Sequence, residues 1–229
     1  MKIIELFNRY NQEIQNSTNI LEAFDKSEMT NISAKLKFGF FPLGSGIFSK
    51  HSEIEKAEIS KCEIMVLGND FGTINYLNKK CLNEKEEKTN PTISNLLQLE
   101  MNESTTFYTN LFLGLRNGEK MVGIKKLETE YLNFCLSFFR IQLELIKPNI
   151  VICLGNEVKK ALVEYSNDFS AIAKKTITEI YADKSKNDFM IIANGIKFIF
   201  IPHPSYAHIN WKKNNIKERI KDSLKNASW

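Results

Sequence analysis

Apolar positions along this chain alternate between two rhythms, and the switches outline its elements. Ile3, Ile4, Phe7 and Tyr10, then Ile20, Leu21 and Phe24, recur at helical spacing, so residues 1 to about 35 are expected to be helical. A turn-rich stretch follows at 40–48, in which Gly44 and Gly46 bracket Ser45. Residues 63–67 read as a short buried strand ended by Gly68, and the uniformly polar 83–90 as a solvated loop. A short helix is expected from about Thr92, carrying Leu96, Leu97 and Leu99, and a second strand fits 106–111. The clearest helix is about 128–147. There Tyr131, Phe134, Phe138, Ile141 and Leu145 advance by three and four, while Leu132, Cys135, Phe139 and Ile146 widen the stripe. Pro148 ends it, 149–155 reads as a fully buried parallel strand, and 157–165 returns to helix. Two β-rich runs within 188–201 flank Asn194-Gly195, a strong hairpin signal, and the second leads into Pro202-His203-Pro204-Ser205. The tail from about 210 to 226 reads as a basic amphipathic helix.

Strands that alternate with helices predict a parallel sheet covered on both faces. With no internal repeat or Pro/Gly-rich linker, residues 1–229 read as one domain. A helical extension covers about 1–35, and the core about 40–210. Ligands of such sheets bind outside the carboxyl ends of the strands. Three distinctive segments stand at such ends: Gly68-Asn69-Asp70-Phe71-Gly72, Thr109-Asn110 and His203-Pro204-Ser205.

Composition narrows the class without choosing a function. Apolar residues make up 43% and charged residues 25%, which excludes collagen-like, low-complexity and generally disordered chains. With 31 Lys+Arg against 27 Asp+Glu the net charge is +4, too small by itself to indicate nucleic-acid binding. No apolar run approaches the roughly 18 residues of a membrane span. Glu5, Asn8 and Arg9 interrupt the apolar stretch a signal peptide needs, so a cytoplasmic protein that binds no membrane is expected. Cys62, Cys81, Cys135 and Cys153 form no C-x-x-C pair and read as free thiols, those other than Cys81 in apolar, element-like stretches.

Singly, the three segments are weak signals. The run from Gly68 to Gly72 is not G-x-G-x-x-G, and no Lys-Ser/Thr pair follows as in a P-loop. A tight turn with Asp70 capping the next helix competes with an acidic side chain presented to a ligand. His203 and His208 lie five apart and His51 sits in a polar stretch, so no metal site is expected. His203 lies between two prolines that restrict its backbone. Ser45 lacks the G-x-S-x-G elbow of a nucleophile. Lys212, Lys213, Lys217, Arg219, Lys221 and Lys225 read as a solvated helix face.

Taken in order, the segments resemble the uracil-DNA glycosylase superfamily. Its early strand ends in G-Q-D-P-Y or G-E-A-P-G, where this chain has Gly68-Asn69-Asp70-Phe71-Gly72. Tyr108-Thr109-Asn110 matches its T-N strand end, residues 148–155 its P-x-x-[IV]-[IV]-x-L-G strand, and Pro202-His203-Pro204-Ser205 its H-P-S segment. Phe71 replaces the motif proline, Gly72 stands where one branch carries a thymine-excluding tyrosine, and the iron–sulfur branch's cysteines are absent. The resemblance implies a three-layer α/β/α sandwich around a central, mostly parallel four-stranded sheet. It implies a DNA glycosylase that removes uracil or a related damaged base, without cofactor or metal, acting as a monomer on single- or double-stranded DNA. Asp70 and His203 would be catalytic. Asn69, Asn110, Phe71, Gly72 and Tyr76 would contact the base. Gly44, Ser45, Gly46, Ser205, Tyr206 and His208 would contact DNA. The competing expectations are a catalytically silent member that binds nucleic acid or a free base, and an unrelated α/β nucleotide-binding hydrolase.

Overall fold

The computed structural model describes residues 2–31, 41–42, 58–75, 91–102, 105–120, 123–182, 188–206, 211–212 and 214–225. Helix α1 (Ile3–Asn16) buries Ile3, Leu6, Phe7 and Tyr10, and α2 (Ile20–Lys26) buries Ile20, Ala23 and Phe24. The helical expectation fails after Lys26. Glu28 turns the chain at φ 56° and β1 (Met29–Asn31) runs extended. Its partner is a strand more than 80 residues away, so the tertiary pairing overrides local propensity there.

Next come β2 (Phe41–Pro42), β3 (Ile64–Gly68), α3 (Pro91–Leu97), β4 (Thr106–Asn110) and β5 (Gly114–Arg116). Helix α4 (Thr129–Ile146) is followed by β6 (Ile150–Leu154), α5 (Gly155–Tyr165) and α6 (Ile177–Ala182). The hairpin β7 (Met190–Ala193) and β8 (Ile196–Ile201) turns at Asn194-Gly195, both at positive φ as a type I′ turn requires. Helix α7 (Ile216–Lys225) comes last.

The main sheet has the order β2-β4-β3-β6-β8-β7. Its four central strands are parallel: β3 pairs with β4 and β6, and β6 with β8. The expected four-stranded parallel core is therefore present, within a six-stranded sheet. Short antiparallel strands, β2 and β7, pair with the two outer parallel strands β4 and β8. Every residue of β6 is buried, as a central strand covered on both faces must be. Cys62, Cys135 and Cys153 are buried free thiols, as expected, and Cys81 lies outside the described residues. Among the described residues no helix is long and apolar enough to cross a membrane.

The N-terminal helices pack on α4 through aromatic edges. Phe24 meets Tyr131 at 4.6 Å between centroids, and Tyr10 meets Phe138 at 5.2 Å. The Tyr10 hydroxyl donates to Asn31 Oδ1 at 2.7 Å, and Ser27 Oγ accepts the Glu128 N–H at the head of α4 at 2.9 Å. At the other end of the chain, the basic face of α7 is not wholly solvated. The Arg219 guanidinium lies 4.8 Å from the Tyr181 ring centroid and 4.6 Å from that of Phe189, and Lys221 pairs with Glu100. A guanidinium over two stacked rings gains attraction from their faces, which a helical wheel does not reveal.

Lys159 on α5 is 3% exposed. Its ammonium donates to the carbonyls of Ile172 at 2.9 Å and Ala173 at 3.3 Å, and to that of Lys175. These oxygens lie at and just past the end of the 3-10 helix Asn167–Ile172, where carbonyls run short of helical donors and that of Ile172 also accepts the Lys175 N–H at 3.2 Å. Lys159→Met keeps the stem and removes the donor. It should cost about 1–3 kcal/mol, read as a lowered urea midpoint with unchanged slope.

Candidate active site at the carboxyl edge

Because β4, β3, β6 and β8 run the same way, their last residues Asn110, Gly68, Leu154 and Ile201 reach one edge of the sheet. Asp70 lies two residues past β3 and His203 two past β8, so the three segments singled out in the sequence meet there. Register sharpens this. Gly68 pairs directly with Asn110, and a Cβ on Gly68 would lie 2.1 Å from Asn110 Oδ1. Glycine at 68 is what lets the Asn110 amide lie across the strand end.

The segment after β3 is stitched to the segment after β4. Leu111 N–H donates to the Gly68 carbonyl at 2.9 Å, Phe112 N–H to that of Asn69 at 2.8 Å and Arg116 N–H to that of Gly72 at 2.8 Å. Gly72 adopts φ 86°, a conformation that favours glycine, and the Asp70 carboxylate closes the turn by accepting Gly72 N–H on Oδ1 at 2.8 Å. Asn69 Nδ2 donates to Oδ2 at 2.8 Å, and Arg116 Nε to Oδ1 at 3.2 Å. A carboxylate only 7% exposed thus has donors on both oxygens, as a buried charge requires. The expected tight turn is present, closed by the Asp70 carboxylate on Gly72 N–H.

Asn69 is 6% exposed, and its Oδ1 has no hydrogen-bond partner among the described residues. Phe71 is buried in the core cluster at 8% exposure.

His203 is held from several sides. Trp211 Nε1 donates to the Pro202 carbonyl at 2.9 Å and Asn95 Nδ2 to that of Pro204 at 2.9 Å, so α3 grips the loop. Gly155, at φ 84°, lies under the ring: a Cβ there would stand 3.3 Å from His203 Cβ. The Ser205 N–H donates to His203 Nδ1 at 3.3 Å, and Ser205 Oγ lies 2.8 Å from the same nitrogen. A backbone N–H can only donate, so Nδ1 accepts and the neutral ring carries its proton on Nε2. Burial pushes the His203 pKa down, and the negative charge of Asp70 pulls it partly back up. The ring is therefore neutral at pH 7 and offers an Nε2–H donor.

The structure thus brings Asn69, Asp70, Phe71, Gly72, Asn110, His203 and Ser205 to one edge. Gly44, Ser45, Gly46, Tyr76 and His208 lie outside the described residues, as does the side chain of Tyr206, whose backbone belongs to the 3-10 turn Pro204–Tyr206. Gly155 was marked in the sequence only as the end of the 148–155 strand motif, whereas Arg116, Asn95 and Trp211 were not singled out. Those three reach the site through contacts that only the folded chain makes, and no local motif marks them.

The family model described as the uracil DNA glycosylase superfamily matches residues 58–225, which is 168 of 229 residues. No curated protein matches the chain.

The opposed influences on His203 make a titration test. Followed by NMR, its ring should titrate below the unperturbed value of about 6.5, and Asp70→Asn should lower the midpoint further by removing the charge that raises it. A depressed folded-state pKa means the unfolded chain binds more protons between the two values. Stability from this group is complete above about pH 6.5 and is lost as pH falls through the folded-state midpoint.

Proposed function

The chain belongs to the uracil DNA glycosylase superfamily, and from that premise we propose that it hydrolyses the N-glycosidic bond of uracil or a related damaged base in DNA. The observation that carries this reading is the placement of a buried carboxylate and an Nε2–H imidazole at one sheet edge, beside the Asn110 amide.

A base in a duplex is reached only after it rotates out of the stack into a pocket. Asn110 carries both a donor and an acceptor, and among the described residues its amide has no hydrogen-bond partner, so it suits the polar edge of a flipped pyrimidine. As the bond from C1′ to the base nitrogen breaks, positive charge grows on the sugar and negative charge on the departing base. Asp70 stabilises the first by its charge. His203 stabilises the second by donating Nε2–H to a base oxygen. Both groups are fixed before reaction, so little reorganisation is needed when the charges form. Water then adds at C1′, its oxygen forming the new bond while one proton passes to solvent or to the released base. Ser205 orients His203 through its hydroxyl, and it is also a proposed DNA contact. Gly44, Ser45, Gly46, Tyr206 and His208 complete the proposed DNA contacts, and Phe71 and Tyr76 the proposed base contacts.

Oligonucleotides carrying uracil, hypoxanthine or mismatched thymine, incubated with the protein and then treated with alkali, should show strand cleavage at a damaged base. Asp70→Asn and His203→Ala should each lower the single-turnover rate on the order of 10²–10³-fold, with little change in oligonucleotide affinity, because phosphate contacts dominate binding. Retained oligonucleotide binding with no base release from any substrate would instead support a binding-only member.

Selectivity gives a second expectation. Gly72 has no ring to exclude the thymine methyl, and one methyl in an apolar pocket is worth only ~1–3 kcal/mol. Uracil should be preferred to mispaired thymine by roughly 10–200-fold in kcat/KM. The native protein is the right test, because a tyrosine at φ 86° would be strained whatever its ring contacted.

A further inference from the structure

Arg116 stands outside every motif of the sequence, yet it is the charged partner of the buried Asp70. Its Nε donates to Oδ1 at 3.2 Å, and its side chain is only 15% exposed. The guanidinium is itself fixed, since Nη1 donates to the Glu119 carbonyl at 3.1 Å. Arg116 also ends β5, whose alignment comes from the N-terminal segment. Met29 pairs with Arg116, Thr30 with Leu115 and Asn31 with Gly114. Thr30 Oγ1 then donates to Asn117 Oδ1 at 2.6 Å, and Asn117 N–H to the Glu28 carbonyl at 3.0 Å. Residues 28–31 lie outside the span the family matches, which begins at 58. A contiguous path therefore runs from the N-terminal segment through β5 to the carboxylate.

We propose that Arg116 is a positioning residue for Asp70, holding its carboxylate in its orientation at the sheet's carboxyl edge, and that the β1–β5 ribbon sets where the guanidinium lies. The proposal rests on the glycosylase reading for its consequence in turnover and on geometry alone for the positioning itself. Among the described residues, the side chains of other elements that meet the Asp70 charge are Arg116 from β5, His203 from beyond β8 and Tyr131 from α4. The Gly72 N–H and Asn69 amide hold the carboxylate too, but both are neutral donors of its own loop. Among the described residues, Arg116 is the side chain from a different element that hydrogen-bonds the carboxylate.

His203 serves as the reporter, because it senses the field of Asp70 without any reaction taking place. In a rigid site, charges act additively. Arg116→Met would then raise the His203 midpoint equally in the native and the Asp70→Asn backgrounds, by removing a positive charge. If Arg116 aims the carboxylate, the two backgrounds differ. In the Asp70→Asn background the midpoint rises. With the native Asp70 in place it rises less or falls, because the released carboxylate turns from the ring. NMR titration of the full chain as wild type, Arg116→Met, Asp70→Asn and the double variant gives this coupling. Equal shifts in the two backgrounds overturn the proposal.

Arg116→Lys, which keeps the charge and a donor, guards against a Met variant that fails to fold, and should fall between wild type and Met. In single-turnover base release Arg116→Met should lose about tenfold or more in rate with unchanged oligonucleotide affinity. It should add nothing to the loss from Asp70→Asn, since residues acting as a unit are not additive. If the wild-type protein releases no base, the glycosylase reading fails while the titration cycle still decides the positioning role.

Discussion

Four strands running in one direction, paired residue for residue from Ile64↔Thr106 to Gly68↔Asn110 on one side and from Ile150↔Lys197 to Leu154↔Ile201 on the other, constrain everything else in this protein. Parallel strands cannot be joined by tight turns, so each must be followed by a crossover on a face of the sheet. Each therefore releases its chain at the same edge. The carboxylate, the amide and the imidazole come from three strands spread across more than 130 residues of sequence, and the shared direction brings them together.

A second constraint is local and electrostatic. Placing Asp70 at the head of a loop that packs against β5 and the core leaves its carboxylate nearly without water. A buried charge is tolerated only when its oxygens are supplied with donors, and removing one partner of such a pair is costly. That requirement explains why Gly72 turns back with positive φ, why Asn69 points its amide nitrogen inward, and why an arginine ends the neighbouring strand. It also ties the N-terminal helices to the site. They pack on α4 and, through Asn31 and β1, align the strand that carries Arg116.

The imidazole shows the complementary logic. His203 has a neutral ring with a defined tautomer, set by burial and by the Ser205 N–H. Two prolines limit the loop's backbone, while Trp211 and Asn95 occupy the prolyl carbonyls on either side. The ring rests on Gly155, where a side chain would meet it. Apart from Ser205, orientation is fixed by groups with no proposed part in substrate contact.

Much of this was legible in the sequence because it depends on local periodicity and local chemistry. The stripe of α4, the uninterrupted apolar run of β6 and the Asn194-Gly195 turn each leave a short-range signature, and from them the parallel order and the candidate edge follow. Asp70, Asn110 and His203 were visible because they sit immediately past such strands. The short edge strand β2, the β1–β5 ribbon and the Arg116–Asp70 pair were not. Met29, Thr30 and Asn31 carry no strand period, and become a strand only because a partner more than 80 residues away offers them hydrogen bonds. Arg116 looks like any surface arginine until the fold sets it against a carboxylate that has lost its water. Local pattern was enough to set the layers and the chemistry at their edge. Which charge faces which was settled only in the folded chain, because desolvation and ion pairing depend on neighbours distant along the sequence.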